Sequence, residues 1–393
     1  MRFISNPGKG VTGDTFVKVE KKPVIGVVIV SFNSGDVILD CLESLLAVTD
    51  TDLRILVVDN ASPDDTVEIL RKWAAAGTLH DAGNLPYRPR DHGPVSLIDI
   101  SGNDQGTALP NGAVGLLQTG LNTGFAGGVN RGMAALAACP EIDAFWILNP
   151  DAMTLADTPA ALARGMLENP GFGLMGGRIY YTDPATQIQG DGGTINRYTG
   201  ICSPINLGAM GPAVPPPRST DLDFVSGAHM LASRAMLETT GGMVEDYFLY
   251  YEEVDWAMRR GALDLVYLDD AIVHHHGGTA IGSPTLERGP SPLSSYFTFR
   301  NRMRFQRRFS PWSLPMTWAY SMAKIAYWTL TGQRAAAWAA WAGMNGLRAP
   351  ADIRARFTGA AKAHAFAPMD ISGRGPLTLP KAKMHKPEST NPA

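Results

Sequence analysis

The chain has few cysteines and few charged residues, and both shortages limit what it can be. Only three of its 393 residues are cysteine. Cys41, Cys139 and Cys202 lie far apart with no metal-type spacing, so we interpret them as buried thiols in a reducing compartment. Charged residues make up 18%, the net charge is -3 and the pI is near 6.2, which argues against electrostatic binding of nucleic acid. The 45% hydrophobic content predicts a globular protein.

Long apolar runs are also absent. MRFISNPGKG at the N-terminus contains no apolar signal segment, so we expect a cytoplasmic location. The tryptophan-rich stretch 311–330 is interrupted by Lys324 and two prolines, and it falls short of the roughly 20 apolar residues of a transmembrane helix. Next to the five arginines of 299–309, it suits peripheral contact with an anionic membrane at the inner face of the cell membrane. The alternative is a helical extension packed on the main domain.

What the sequence does contain is a regular alternation of strand and helix patterns. VIGVVIVSF (24–32) and RILVVDN (54–60) have the β-branched composition of buried strands. Each is followed by a capping or turn segment and then by helical spacing, as in VILDCLESLLAV. AVGLLQT (113–119) and DAFWILNPDAM continue the pattern. The order predicts an α/β fold with a mostly parallel central sheet, flanked by helices through right-handed crossovers.

Changes of composition divide the chain into four parts. We predict a flexible lead-in at 1–22, a main domain at 23–285, a helical extension at 286–360 and a disordered tail at 361–393. Residues 78–112 are rich in Gly, Pro, Asn and Asp and lose periodicity, so we interpret them as a surface insertion in the main domain.

Two acidic residues follow predicted strands, at the sheet edge where α/β proteins bind ligands. Asp59 ends VVDN and can accept the imide N–H of a pyrimidine or a ribose hydroxyl; alone, a turn or helix-capping role is favoured. Asp151, beside Asn149 in LNPD, suits Mg²⁺ or Mn²⁺ held partly by phosphates, with a simple turn as the alternative. GFAGGVNRG (124–132) lacks the G-x-G-x-x-G spacing, so its glycines are interpreted as allowing close approach to a nucleotide.

The segment 242–278 concentrates acidic, aromatic and imidazole side chains. Glu252 and Glu253 follow the aromatic run YFLYY, a combination that suits removal of a proton from a sugar hydroxyl while the rings stack on the sugar. A strand pattern then leads to three consecutive histidines. Because adjacent residues of a strand point to opposite faces, at most one or two of these can reach one metal ion.

These motifs, in this order, resemble the inverting GT-A glycosyltransferases of family 2, and in particular a bacterial rhamnosyltransferase-like branch that builds cell-surface polysaccharides. The resemblance rests on seven segments between 24 and 280, among them VVDNASPDDT, LNTGFAGGVNRG, WILNPDA, FVSGAHMLASRAML and YFLYYEEVDWAMR. It implies a GT-A fold with the C-terminal helical extension added.

The resemblance also implies roles for individual residues. Glu253 takes the position of the catalytic base, with Glu252 as the fallback because the family's Glu-Asp pair is Glu-Glu here. Asp151 and His275 are the implied metal ligands for Mg or Mn. The implied nucleotide and donor contacts are Ser31, Asn33, Asp59, Asn60, Asn122, Gly124, Phe125, Gly127, Asn130, Asn149, Asp151 and Arg300. The implied acceptor contacts are Ser226, Gly227, Ala228, Tyr251 and Trp256.

The implied reaction is a single displacement from a dTDP- or UDP-sugar, rhamnose among the candidates, to a saccharide or lipid-linked acceptor. Two other hypotheses are retained. A nucleotidyltransferase would need a basic, glycine-rich signature near the first strand, which VSFNSGD lacks. A nucleotide-sugar-binding scaffold with a degraded site would not need the acids at 59, 151 and 253.

Overall fold

The computed structural model describes residues 22–77, 87, 90, 92–100, 108–277 and 289–368. Within these residues lie one large mixed sheet, a two-stranded sheet and a set of helices. The strands are β1 (Val24–Ser31), β2 (Asp52–Asp59), β3 (Leu97–Asp99), β4 (Val114–Gln118), β5 (Ala144–Leu148), β6 (Ala152–Thr154), β7 (Phe172–Tyr181), β8 (Ile188–Gly190), β9 (Gly193–Ile195), β10 (Cys202–Pro204), β11 (His229–Ser233) and β12 (Asp264–His275).

The helices fall into two sets. Those of the sheet domain are α1 (Ile38–Leu46), α2 (Thr66–Ala76), α3 (Gly124–Ala137), α4 (Thr158–Glu168), α5 (Arg234–Thr240) and α6 (Glu252–Met258). Those of the C-terminal extension are α7 (Pro292–Phe309), α8 (Leu314–Leu330), α9 (Arg334–Met344), α10 (Ala351–Ala355) and α11 (Gly359–Ala365). Short 3₁₀ turns occupy Ser219–Asp221, Glu245–Tyr247 and Pro311–Ser313.

The large sheet runs in the order β3-β4-β2-β1-β5-β11-β7-β12-β6, with β8 added alongside β7. The first five strands in this order are parallel to one another. Beyond β5 the pairing is mixed, because β11 is antiparallel to both β5 and β7 while β7 and β12 are parallel. The predicted mostly parallel sheet, flanked by helices and followed by a helical extension, is confirmed.

Both faces of the sheet are buried, which explains the uninterrupted apolar strands. Along β1, Val28 and Val30 contribute to the core on one side, while Val27 and Ile29 contribute to the core on the other. The first core is covered by α3, α5 and α6, and the second by α1, α2 and α4. This arrangement brings the carboxyl ends of β1, β2 and β5 to one edge, where Ser31 pairs in register with Asp59.

The glycine-rich start of α3 serves helix packing. A Cβ at Gly128 would lie 2.5 Å from Val30 Cγ1, and one at Gly132 would lie 2.5 Å from Val28 Cγ1. The helix therefore lies against β1 at a distance that only glycine allows. The sequence interpretation was that these glycines allow close approach of a nucleotide. At Gly128 and Gly132 the close contact is instead with β1 of the sheet.

Two domain boundaries differ from the sequence interpretation. Part of the segment 78–112 is an edge strand, β3, which pairs in parallel with β4, so the segment is not wholly a surface insertion. Helix α11 continues to Ala365, where we expected a disordered tail from residue 361. The predicted lead-in, except Lys22, and the tail beyond residue 368 lie outside the described residues.

The arginine-rich helix α7 is largely buried. Asn301 is fully buried, Arg300 and Arg302 are nearly so, and Arg308 donates to the buried carboxylate of Asp255 at 2.8 Å. Of the five arginines, only Arg307 is classed as exposed. The alternative of a packed extension is therefore correct for α7. No helix in the described part of the chain is long and apolar enough to cross a membrane.

Candidate active site

A cavity of about 890 Å³ opens at the carboxyl edge of β1, β2 and β5, within the size range of small-molecule sites. Many of the sequence-predicted residues meet there although they lie far apart in the chain. Those lining the cavity are Asn33, Asn60, Asn122, Gly124, Phe125, Asn149, Asp151, Ser226, Gly227, Ala228, Glu252, Glu253 and His275.

Asp151 and His275 form one corner of this cavity. The register of β6 on β12 places Ala152 opposite His275, which brings the preceding Asp151 beside the imidazole. His275 Nε2 lies 3.0 Å from Asp151 Oδ1, and both side chains are buried. His274 points elsewhere and stacks on Tyr180. The strand pattern was expected to end before the three histidines, but β12 continues through His275, and this extension fixes which histidine faces Asp151.

The hydrogen bonds of His275 define its protonation. Its Nδ1 lies 2.6 Å from Gln189 Oε1, an oxygen that can only accept, so Nδ1 carries a proton. In the neutral ring the Nε2 lone pair then faces the Asp151 carboxylate. Burial raises the pKa of Asp151, but when the imidazole is doubly protonated its charge and its Nε2–H hydrogen bond outweigh burial and lower that pKa overall. A protonated His275 therefore favours the ionised form of Asp151.

This corner fits a divalent cation. A proton on Nε2 or a metal cation can join the carboxylate to the imidazole, and a spacing of about 3 Å is what neighbouring ligands have on an octahedral ion with 2.0–2.1 Å bonds. No group of three or more His, Cys, Asp and Glu side chains in the described residues could hold a metal ion. Asp151 and His275 would therefore supply two ligands, leaving the others to phosphate oxygens and water.

Glu252 and Glu253 begin α6 on the opposite wall of the cavity. Burial raises the pKa of both carboxyls, and repulsion by Glu253 raises the pKa of Glu252 further. Glu252 Oε2 is buried without a hydrogen-bond partner among the described residues, whereas Glu253 is only half-buried. Glu253 therefore ionises first and Glu252 tends to stay neutral, so Glu253 is the better proton acceptor.

The loop before these acids has an unusual backbone. Phe248, Tyr250 and Tyr251 have φ angles of 64°, 69° and 74°, in a region that bulky residues avoid. Such strain persists only where surrounding contacts impose it. Here Asn301 Nδ2 on α7 lies 2.8 Å from the carbonyl oxygen of Tyr247, 2.7 Å from that of Leu249 and 3.0 Å from that of Tyr250. Helix α7 thus holds the loop that positions the two glutamates.

Asn60 organises the part of the cavity between β2 and α3. Its Nδ2 donates to Gly124 O at 2.8 Å, and its Oδ1 accepts from the backbone N–H of Thr123 at 3.1 Å, joining the ends of β2 and α3. Asp59 is buried and does not line the cavity. Its carboxylate accepts from the Ser31 hydroxyl at 3.4 Å and the Ser62 N–H at 3.3 Å, which is the turn role considered as its alternative.

Several other predicted contacts lie outside the cavity, and packing explains why. Asn130 donates to Met243 O, and Trp256 donates to Thr240 Oγ1 from a fully buried position. Tyr251 donates to Gly200 O at 2.6 Å. Trp256 and Tyr251 therefore do not line the cavity, and their contact with an acceptor stays a prediction. The predicted donor contacts that do not line the cavity are Ser31, Asp59, Gly127, Asn130 and Arg300.

The structure also adds residues that the sequence did not suggest. Gln189 orients His275, and Arg356 with Phe357 lines the cavity from the C-terminal extension. No sequence signal marked Gln189, because it lies in a short strand among turns. Arg356 and Phe357 were assigned to a peripheral extension. Only the folding of that extension onto the Phe248 loop brings them to the site.

A comparison with protein families matches the N-terminal part of the chain to one family. Residues 26–93 match the family model described as "Glycosyl transferase family 2". The match covers β1 and β2 with their connections, including Asn33 and Asn60. The match agrees with the predicted resemblance to family 2, and the mixed α/β sheet agrees with the fold predicted from it.

Among curated proteins, the chain is similar to the N-acetylglucosaminyl-diphospho-decaprenol L-rhamnosyltransferase of Mycobacterium tuberculosis, in two strains. The identity is 26% over 321 residues, covering 75% of this chain and 88% of the relative. The similarity therefore extends well beyond the family 2 match and agrees with the predicted rhamnosyltransferase-like branch.

Solved structures of glycosyltransferases are more distant. A mannosyltransferase from Pyrobaculum calidifontis in complex with GDP-Man and Mn²⁺ is 17% identical, with 88% of this chain and 86% of that chain covered and a TM-score of 0.44. S. aureus TarS 1–349 in complex with UDP-GlcNAc is 16% identical, with 71% and 65% covered and a TM-score of 0.40. At these scores neither structure informs the site.

Proposed function

We propose that this glycosyltransferase moves a sugar, rhamnose in the first instance, from a dTDP- or UDP-sugar to a lipid-linked saccharide, with inversion at the anomeric carbon. The observation that carries the proposal is that two pairs of side chains line one cavity. Glu252 and Glu253 have raised pKa values, and Asp151 and His275 suit a divalent ion. The acceptor class follows the mycobacterial relative, whose name specifies a diphospho-decaprenol-linked N-acetylglucosamine.

In the proposed reaction Glu253 accepts the proton of an acceptor hydroxyl. The hydroxyl oxygen forms a bond to the anomeric carbon as the bond from that carbon to the diphosphate oxygen breaks, and the electron pair leaves with the nucleoside diphosphate. Glu252 stays neutral beside Glu253, which limits repulsion when Glu253 is ionised. Because attack and departure occur on opposite faces, the configuration inverts. Glu253 returns its proton to solvent.

Asp151 and His275 are the proposed ligands of Mg²⁺ or Mn²⁺, with Gln189 fixing the imidazole. When bound, the cation would neutralise charge on the diphosphate. Asn60 and Asn122 are proposed to face the nucleoside, since both line the cavity. Asp59 is proposed to contact the base only indirectly, by holding Ser31 and the turn at Ser62.

The test is a transfer assay with purified full chain, dTDP-rhamnose and a polyprenyl-diphospho-N-acetylglucosamine. Mass spectrometry of the product should show one added deoxyhexose, and NMR should show an inverted anomeric centre. UDP-sugars form the second arm, and a chelator forms the third. If no donor is consumed with any acceptor, or if pyrophosphate is released from a nucleoside triphosphate and a sugar phosphate, the proposal is wrong.

We expect kcat to rise with pH, and we expect the midpoint of this rise to lie above the usual pKa of a glutamate side chain. The base is active when deprotonated, and burial raises the pKa of Glu253, so activity is lost as pH falls through that raised value. A profile of kcat from pH 4.5 to 9 measures the acidic limb. A limb centred at or below the usual glutamate pKa of about 4.3 would contradict a buried base.

Asn301→Leu is expected to lower both stability and turnover. The substitution leaves the buried carbonyls of Leu249 and Tyr250 without the side-chain donor that Asn301 provides, which should cost about 1–3 kcal/mol in the free energy of unfolding. Loosening of the strained loop should also reduce kcat, because α6 begins there. Urea unfolding and kcat are measured. Ser295→Ala on the same helix is the control, since its buried hydroxyl has no hydrogen-bond partner among the described residues.

We also propose that α8 contacts a membrane surface, through aromatic side chains rather than the arginines of α7. Helix α8 is apolar on more than its packed side. Ile325 and Trp328 are buried with Thr317 and Ser321, yet Tyr327 and Leu330 are 56% and 88% exposed, and Trp312 just before the helix is 62% exposed. Lys324 is the single charge on the helix, and no Asp or Glu occurs between Pro292 and Ala351.

Such a surface matches the lipid–water interface, where tryptophan and tyrosine concentrate and basic residues meet anionic headgroups. A second copy of the chain fits less well, because a symmetric contact would set the exposed cations Lys324 and Arg334 against their counterparts.

The double variant Tyr327→Ala/Leu330→Ala is therefore expected to weaken vesicle binding by about tenfold or more, because both side chains lose apolar area that would be buried in lipid. Leu167→Ala/Met210→Ala, at two positions that are each 55% exposed, is the matched control. Vesicle flotation measures both. Equal binding by the two double variants would show that α8 is not the contact.

A further inference from the structure

A second cavity, of about 1070 Å³, lies in the C-terminal extension and away from the glutamate pair. It is enclosed by α7, by the segment between α9 and α10, and by α11. Its lining is strongly basic. The basic residues that line it are Arg300, Arg304, Arg307, Arg348, Arg354 and Lys362, and no Asp or Glu is among the described residues that line it.

These cations are not neutralised in the way that other arginines of the protein are. Arg178 is paired with Asp191 at 2.8 Å, and Arg308 with Asp255 at 2.8 Å. Within the described part of the chain, none of the six basic residues has a carboxylate within ion-pair distance. Asp246 is near Arg300 and Arg304 and attracts both, but it does not line the cavity.

The guanidinium groups that are hydrogen-bonded inside donate to backbone carbonyls. Arg300 reaches Ala365 O at 2.7 Å and Tyr247 O at 2.9 Å, and Arg304 reaches Ala367 O at 2.9 Å. A carbonyl satisfies a donor without cancelling its charge. Burial, and after it the charge of the neighbouring Arg304, lower the pKa of Arg300. An anion would offset the repulsion between these two cations.

The cavity also adjoins the proposed membrane-facing surface. Trp318 of α8 and Leu347 both line it, and both are more than 40% exposed. A ligand there meets cations inside the cavity and apolar side chains at its rim. This combination suits a molecule with an anionic head and apolar chains better than a soluble anion.

We propose that this cavity binds the phosphate headgroup of an anionic membrane lipid while α8 lies in the surrounding interface. The inference rests on the membrane contact proposed for α8 and adds a headgroup site to it. The site holds the extension on anionic membranes and leaves the glutamate pair free for the transfer reaction.

The test compares the full chain with the triple variant Arg307→Gln/Arg348→Gln/Lys362→Gln on vesicles of phosphatidylcholine, with and without phosphatidylglycerol. Arg307 and Arg348 are exposed and Lys362 is half-buried, so their replacement should leave the fold intact. The variant should lose the preference for phosphatidylglycerol by tenfold or more and keep its binding to neutral vesicles. The control Arg71→Gln/Arg164→Gln/Arg218→Gln removes the same charge from exposed positions elsewhere and should keep most of the preference.

Other outcomes overturn the proposal. An equal loss in both triple variants would indicate general charge attraction without a site. Displacement from vesicles by millimolar inorganic phosphate would indicate a soluble anion as the ligand, and a dimer that dissociates in the cavity variant would indicate a second copy. Sugar transfer to the polyprenyl-diphospho-N-acetylglucosamine in detergent is measured alongside: it should be unchanged in the cavity variant. Its absence in the unmutated chain would instead contradict the proposed transfer reaction.

Discussion

Glu253→Gln is expected to lower kcat by ~10²–10⁴-fold, the usual contribution of a general base. Glutamine keeps the shape of the side chain and can still hydrogen-bond to an acceptor hydroxyl, but it cannot take the proton. Donor affinity should therefore change little. The measurement is kcat and KM for the transfer reaction, together with donor binding by calorimetry in the absence of acceptor.

Glu252→Gln is the matched control, and its expected effects differ from those of Glu253→Gln in two ways. Turnover should fall less, because Glu252 is the carboxyl that stays protonated. Stability at pH 8 should be unchanged or higher. A carboxyl whose folded-state pKa is raised stabilises the fold at low pH and loses that contribution as pH rises through the raised value. A neutral glutamine removes this loss and relieves the repulsion from Glu253.

The two variants together identify the base. If Glu252→Gln is inactive and Glu253→Gln retains turnover, the two glutamates have exchanged roles. If both keep near-full turnover, neither is the base and the single-displacement proposal at this site is wrong.

The second large effect is expected at the metal corner. Asp151→Ala should abolish the dependence of dTDP or UDP affinity on Mn²⁺, because it removes one of two proposed protein ligands and leaves His275 alone. The fold should be retained but somewhat less stable, since Asp151 is buried and hydrogen-bonded to His275 rather than placed at an exposed strand tip. Nucleotide titrations with and without Mn²⁺ measure the effect, and thermal unfolding checks the fold.

Gln189→Leu is the graded companion to this variant. It removes the oxygen that orients His275 through Nδ1 while leaving both proposed ligands in place. Loss of such a supporting contact typically lowers metal affinity by about 10–100-fold. Mn²⁺-dependent affinity should therefore fall in Gln189→Leu without disappearing. Unchanged Mn²⁺ dependence in Asp151→Ala would rule out the metal role.

Sequence reasoning went furthest where local pattern and environment coincide. The buried strands at 24–31 and 52–59, the helices after them and the acids at their ends could be predicted, because a strand buried on both faces needs an unbroken apolar run. It was less successful for glycines and arginines. Gly128 faces Val30, and Arg302 donates to the Tyr251 hydroxyl inside the protein, although each residue type also suits a ligand.

The sequence by itself determined the resemblance to a family, the parallel half of the sheet and the set of polar residues from which a site could be built. Tertiary structure decided which of them share a cavity. His275 rather than His274 meets Asp151 because of the register of β12 on β6, and Asn301 reaches the Phe248 loop because α7 packs against it. The physical reason is that these contacts join residues about 50 to 120 positions apart, and no local pattern specifies which side chains a long-range packing arrangement will bring together.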